Sequence, residues 1–391
     1  MTERRYDIDW LRVIAVLAIF LLHTSQFFDT EGWILKNAER SFIVNVLRGA
    51  LLDMWVMPLL FLLSGAASRY ALKSRNAGQY LLDRVKRLLI PLYGVGLFIL
   101  LPPQAYIDWS FNRGYSGTFW QLFPRYLSNL SLSFKTPYAT LPFAGHLWFL
   151  QHLFIISLGM LPLLLILRSE AGRRVVDKLA GICIRPGGIF LFLIPLIGVR
   201  IAFEHFMFMG PNSWSDLFTY AVFFVIGYIF AVDPRYTDSV KRHGWVGLAL
   251  GILGFAGFAF LISSGYTRGA EPFSLKYILF HITDIVCRWG WIVFIFSMAA
   301  KYLNFKSKVI TYGNEALLPF YIFHLTVVLW VAWFVLPWDL GIVPKFLIVT
   351  VASFILIIAL YEGLVRHFNV VRFLFGMRPK KRRVKAQPDK N

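Results

Sequence analysis

Acidic residues are scarce in this sequence. Only 21 Asp and Glu stand against 40 Lys and Arg in 391 residues, a formal net charge of +19. Such an excess suits a nucleic-acid binder only when the basic residues share one solvated face. Here they fall in short connections between apolar runs, the pattern of a cytoplasmic membrane surface, so no nucleic-acid partner is expected. Cysteine is nearly missing. Cys183 and Cys287 lie far apart, with neither metal spacing nor a disulfide framework. Gly-rich phosphate loops are missing too, which excludes nucleotide hydrolysis and nicotinamide binding. The eight histidines are spread over separate segments and form no recognisable metal-ligand set. No internal repeat stands out, which weakens a transporter built from repeated halves.

What is abundant is hydrocarbon. Hydrophobic residues make up 58% of the chain, aromatics 17%, and the mean hydropathy is +0.61. A soluble protein of this length needs far more charge to cover its surface, so the solvent of this chain is the bilayer. A span takes roughly 20 apolar residues at 1.5 Å each. Runs of that kind occur near residues 10–28, 46–68, 88–106, 147–167, 189–206, 217–232, 245–263, 278–299, 318–335 and 346–365. The first is long enough to span, opens with Asp7 and Asp9, and lacks a small-x-small cleavage site, so it reads as a retained helix. With the amino terminus inside, Lys and Arg crowd the inner connections and are sparse in the outer ones, and the basic tail falls inside as well. The expectation is an all-α polytopic membrane bundle of about ten transmembrane helices with both termini cytoplasmic. Residues 1–376 would be the integral-membrane domain and 377–391 a basic cytoplasmic tail. Residues 102–146 read as one long outer connection rich in aromatics.

Ionisable groups inside a span are costly and usually have a partner or a task. The first apolar run holds Arg12 near its inner end and His23 well inside. Eleven residues are close to three helical turns, so the two project from nearly one face, roughly 16 Å apart. A neutral imidazole can accept a proton, and a guanidinium can hold a phosphate or carboxylate. The bland alternatives are an Arg12–Asp9 pair and a His23 bonded to a neighbouring helix. Further polar groups in spans are Arg200 with Glu204, and His281, Asp284 and Arg288 on one helical face. These read as self-satisfied networks or as cavity lining. His152 reads as an interhelical bond, and Glu315 as a negative partner near the inner end of the His324 helix.

The arginine–ten residues–histidine spacing, within Asp9-Trp10-Leu11-Arg12 and His23, resembles the signature of membrane acyltransferase family 3. Other segments follow that family in order: Pro58 to Gly65, Arg84-Val85-Lys86-Arg87 with Pro91, Gly145-His146-Leu147-Trp148, and Phe320-Tyr321 with His324. The likeness runs from about residue 5 to 367. Within the family, Asp7-x-Asp9-Trp10, Pro102-Pro103-Gln104 and Gly114-Tyr115-Ser116-Gly117 look most like a group associated with succinylating periplasmic glucans. The resemblance implies a multi-pass acyltransferase of the cell (inner) membrane that moves groups other than amino-acyl groups. It would carry an acetyl or succinyl group from cytoplasmic acyl-CoA, a substrate and not a bound cofactor, to a hydroxyl of an extracytoplasmic glycan or glucan. His23 would be catalytic with Arg12 positioning the donor, Arg84 and Arg87 would bind donor phosphates, and His146, Trp148 and His324 would line the cavity or acceptor site. His23 could act as general base or as an acyl-imidazole relay. Outside this class, the same buried charges fit a transporter or flippase for an anionic or glycolipid substrate, or a scaffold of a glycan-synthesis complex.

Overall fold

A computed structural model describes residues 5–128, 145–204, 213–265 and 271–380. Among these residues the chain is helical and carries no strand, as hydrocarbon requires of a backbone that must satisfy its own hydrogen bonds. In chain order the helices are α1 (Tyr6–Ser25), α2 (Phe42–Ser74), α3 (Ala77–Asn112), α4 (Phe119–Ser128), α5 (Gly145–Gly159), α6 (Leu161–Arg168) and α7 (Glu170–Cys183). They continue as α8 (Gly188–Phe203), α9 (Trp214–Phe230), α10 (Pro234–Ser263), α11 (Leu275–Tyr302), α12 (Lys308–Val335), α13 (Ile342–Val365) and α14 (Asn369–Leu374).

Seven of them, α1, α2, α3, α10, α11, α12 and α13, are long and apolar enough to cross a membrane. The pair α5 and α6 makes an eighth if taken as one span bent by 50°. Its break falls just before Pro162, which cannot donate to the preceding turn. The expected fifth and sixth spans are the shorter apolar helices α8 and α9. Of the outer connection expected over residues 102–146, the first part is helix: α3 continues unbroken to Asn112, and α4 follows it. Two prolines, Pro102 and Pro103, open a helical turn rather than end one, because the first turn needs no donor from them. Residues 129–144 of that connection, and 381–391 of the expected tail, lie outside the described residues. The α1 helix is shifted towards the amino terminus relative to the apolar run, so His23 stands in its last turn and not at mid-depth.

Lipid-facing helices are recognised by exposed apolar side chains. Leu253 and Phe260 of α10, and Val343 and Ile355 of α13, are more than 60% exposed. The centre of the bundle is α12, packed against α1 and α13, with α1 also against α2 and α11. The α2 and α9 backbones meet at reciprocal glycines: a Cβ on Gly65 would stand 1.8 Å from the Phe224 carbonyl oxygen, and one on Gly227 equally close to that of Leu62. Small residues admit this approach, the usual basis of helix association in lipid. Gly65→Val and Gly227→Val should therefore each destabilise by about 1–3 kcal/mol or more. A lowered melting midpoint in detergent-purified protein checks this; unchanged midpoints would mean that α2 and α9 do not cross so closely.

Candidate active site

The last turn of α1, the start of α5 and the middle of α12 bring three imidazoles together. The His23 and His324 rings lie 5.2 Å apart with their planes inclined by 29°, and the His146 ring meets His324 edge-on at 5.2 Å. Their hydrogen bonds fix the tautomers. His23 Nδ1 lies 2.7 Å from Gln26 Oε1, an atom that only accepts, so Nδ1 carries the proton and Nε2 keeps its lone pair. His324 Nδ1 donates to the Tyr321 carbonyl, and its buried Nε2 has no hydrogen-bond partner among the described residues. His146 is different. Its Nε2 donates to the Ile322 carbonyl and its Nδ1 accepts from Gln104, so both nitrogens are spent on holding α5 and α3 to α12. Gln104 also donates to Thr326, and Tyr321 donates its hydroxyl to the His146 carbonyl. Among the described residues no group of three or more His, Cys, Asp or Glu is arranged to hold a metal.

Trp33 lies 5.7 Å from His23 with its ring plane within 3° of parallel. The loop that carries Trp33 is pinned by Lys36, which pairs with Asp29 and donates to the Gln26 carbonyl. Burial pushes the Lys36 ammonium below its ordinary pKa although Asp29 pulls it upward. Arg48 binds the other Asp29 oxygen at 2.5 Å and reaches Glu31 and Asp53 at 2.7 and 3.0 Å.

Two cavities flank this cluster. One, of about 170 Å³, is lined by Arg12, Val16, Leu63, Phe149, Leu318 and Tyr321 among others, and is almost wholly apolar apart from Arg12. Arg12 also faces Asp9 at 3.6 Å. The other, of about 250 Å³, is lined by His23, Asp53, Trp148, Asp216, Tyr220 and Arg288 with a few apolar neighbours. Tyr321 links them: it lines the first, and its ring lies 5.4 Å from His324, which stacks on His23.

Of the residues expected from sequence, the structure thus groups His23, His146 and His324 in one cluster and sets Trp148 with His23 in one cavity. Arg12 lines the neighbouring cavity. Arg84 is engaged elsewhere, donating to Ser68 Oγ at 2.9 Å and lying over the Tyr80 ring. Arg87 is exposed beside Arg84, Arg75 and Arg378. Its carbonyl and Leu318, a wall residue of the Arg12 cavity, both lie about 3 Å from where a Gly376 Cβ would stand. His152 bonds the Trp148 carbonyl of its own helix. Glu315 pairs with Arg372 at 2.9 Å and not with a histidine. The Arg200–Glu204 pair, at 3.4 Å, widens into a network: Arg200 also meets Asp216 at 2.6 Å and Asp284 at 3.5 Å, and Asp284 holds Arg288 at 2.7 Å. Asp53, Asp216 and Tyr220 escaped sequence reading. Gln104 and Tyr321 stood inside motifs that sequence reading noted, without a role.

An all-helical, multi-pass membrane protein with partnered imidazoles between an apolar and a polar cavity has the parts of a membrane-embedded transferase. Residues 5–362 match the family described as Acyltransferase domain, and the chain belongs to it. It is accordingly a multi-pass membrane acyltransferase that moves groups other than amino-acyl groups. Three curated relatives, the glucans biosynthesis protein C of Salmonella schwarzengrund (strain CVM19633), Salmonella heidelberg (strain SL476) and Salmonella agona (strain SL483), are each 23% identical over 399 residues. Each alignment covers 96% of this chain and 95% of the relative. No solved structure matches the chain.

Removing Arg200 would strip the cation shared by three buried carboxylates of the α8–α9–α11 network. Arg200→Ala should cost about 3–5 kcal/mol. Thermal melting of the purified variant measures this, and a midpoint equal to wild type would show that the carboxylates are neutralised in another way.

Proposed function

We propose that this acyltransferase moves an acetyl or succinyl group from acyl-CoA on the cytoplasmic side to a hydroxyl of an extracytoplasmic glycan or glucan. The topology that serves this is ten spans, the eight described above plus α8 and α9, in the inner membrane with both termini cytoplasmic. That reading rests on the bias of Lys and Arg towards alternate connections. It puts Arg12 near the inner boundary and His23 near the outer one.

The observation that carries the proposal is the His23 Nε2 lone pair, fixed by the Nδ1–Gln26 bond, on a cavity wall that also offers aromatic rings and charged groups. Trp148 and Tyr220 offer aromatic faces to a sugar ring, and Asp53, Asp216 and Arg288 offer acceptors and donors to its hydroxyls. On the other side, the apolar Arg12 cavity suits the acyl-pantetheine arm. Arg12 and the exposed Arg87 supply cations for the donor's phosphates, while Arg84 ties α3 to Ser68 of α2. His23 Nε2 takes the proton of the acceptor hydroxyl as its oxygen adds to the thioester carbonyl. The tetrahedral intermediate collapses with C–S cleavage, and the proton returns from imidazolium to the leaving thiolate. The products are the ester and the free thiol. The glucans in the relatives' name make a glucan the first acceptor to try.

His23→Ala should lower acyl transfer by a factor of about 10²–10⁴ while the protein still inserts and melts as wild type. The assay is label transferred from acyl-CoA to glucan in inverted membrane vesicles. Transfer by the variant at the wild-type rate would refute the assignment, and wild-type vesicles that label no glycan from any acyl-CoA would refute the proposed reaction.

A further inference from the structure

A third cavity, of about 570 Å³, opens where α12 begins, lined by Lys306, Lys308, Thr311, Tyr312, Glu315 and Arg366 with Ser307. This volume falls within the range of small-molecule sites. Its carboxylates are already neutralised: Glu315 pairs with Arg372, and Glu362, behind the wall, pairs with Arg366 and accepts from Tyr312. Lys306 and Lys308 have no carboxylate partner among the described residues, so the cavity keeps an uncompensated positive charge of about two. Arg366 lies over the Tyr312 ring at 5.5 Å, forming a stacked cation and aromatic on one wall.

The position of this cavity matters as much as its charge. It lies one turn of α12 from the Arg12 cavity, since Thr311 and Glu315 line the first and Leu318 and Tyr321 the second. The amino-terminal turns of α1 are docked beside it: Tyr6 N donates to Asn304, Trp10 packs on Phe305 at 5.4 Å, and Val13 lies against Gly313. From Thr311 to His324 is about 20 Å along the helix, a length suited to an extended pantetheine arm. The geometry points to this cavity as the site of the donor's nucleotide end: the 3′-phosphorylated adenosine of coenzyme A, with Lys306 and Lys308 on its phosphate and the base near Tyr312. The inference rests on the acyl-CoA reading above and adds to it the residues that recognise the nucleotide.

The test compares two donors, acyl-CoA and the acyl-pantetheine that lacks the nucleotide, in proteoliposomes. Wild type should prefer acyl-CoA in kcat/KM, and the preference should fall roughly 10- to 100-fold in Lys306→Ala/Lys308→Ala, the loss expected for charge-assisted hydrogen bonds to phosphate. Free adenosine 3′,5′-bisphosphate should inhibit wild type and lose potency against the variant. An unchanged preference, or an equal fall with both donors, would overturn the site. So would a preference that follows the phosphatidylglycerol content of the vesicles and not the lysines, because that assigns the pocket to lipid phosphate. Wild type that transfers from neither donor would instead sink the acyl-CoA reading beneath it.

Discussion

Hydrocarbon offers no hydrogen bonds, so each charge and each ring nitrogen inside this bundle must find its partner in the protein. That constraint organises the structure. Arg200, 1% exposed, gathers Glu204, Asp216 and Asp284 and so fastens α8, α9 and α11. Asp29 gathers Lys36 and Arg48 and fixes the loop over His23. His146 spends both nitrogens on cross-links to α3 and α12. His324 differs, because its buried Nε2 has no hydrogen-bond partner among the described residues. A buried, unpartnered lone pair costs stability, and this one sits against His23, which lines the polar cavity.

The α12 helix is the common wall. Counting up from its first turn, Lys308 and Thr311 face the basic cavity, Leu318 and Tyr321 the apolar one, and His324 the imidazole cluster. A helix keeps such distances far better than a loop does, which is what orienting one extended substrate over about 20 Å demands. The contact of Gly313 with Val13 keeps α1 against α12 and so holds the Arg12–His23 pair in register with that wall. Trp10 on Phe305 does the same at the inner end.

Much of this was legible beforehand because it is periodic. Apolar runs reveal spans, and an eleven-residue separation puts Arg12 and His23 on one face whatever surrounds them. The separation did not reveal depth: the helix ends at Ser25, so His23 ends up in the last turn. The long aromatic connection was misjudged for a similar reason, since Pro102 and Pro103 look like a helix stop but sit at the start of a helical segment that extends α3 to Asn112. The rest of the site was hidden because it is tertiary. Asp53 and Asp216 belong to α2 and α9, and nothing in their local sequence says that they share a cavity with His23 and Arg288 of α11. Each also resembles an ordinary structural ion-pair residue, and each is one: Asp216 serves Arg200 and Arg288 serves Asp284 while also lining the cavity.

The contrast between the two cavities bears on a problem common to membrane acyl transfer. A thioester is open to attack by water as well as by an alcohol, so the base that activates the alcohol should not be wetted from the donor side. Around Arg12 the wall is Val16, Leu63, Phe149, Leu318 and Tyr321, which leave water few partners. The carboxylates and aromatic faces lie beyond His23, where an acceptor rich in hydroxyls can use them. Trp33 and His324 both pack against the His23 ring, at 5.7 and 5.2 Å. In the reaction we propose, an imidazole held this way would admit an acceptor hydroxyl from one cavity and a thioester from the other, and the apolar wall would keep solvent from competing with the acceptor.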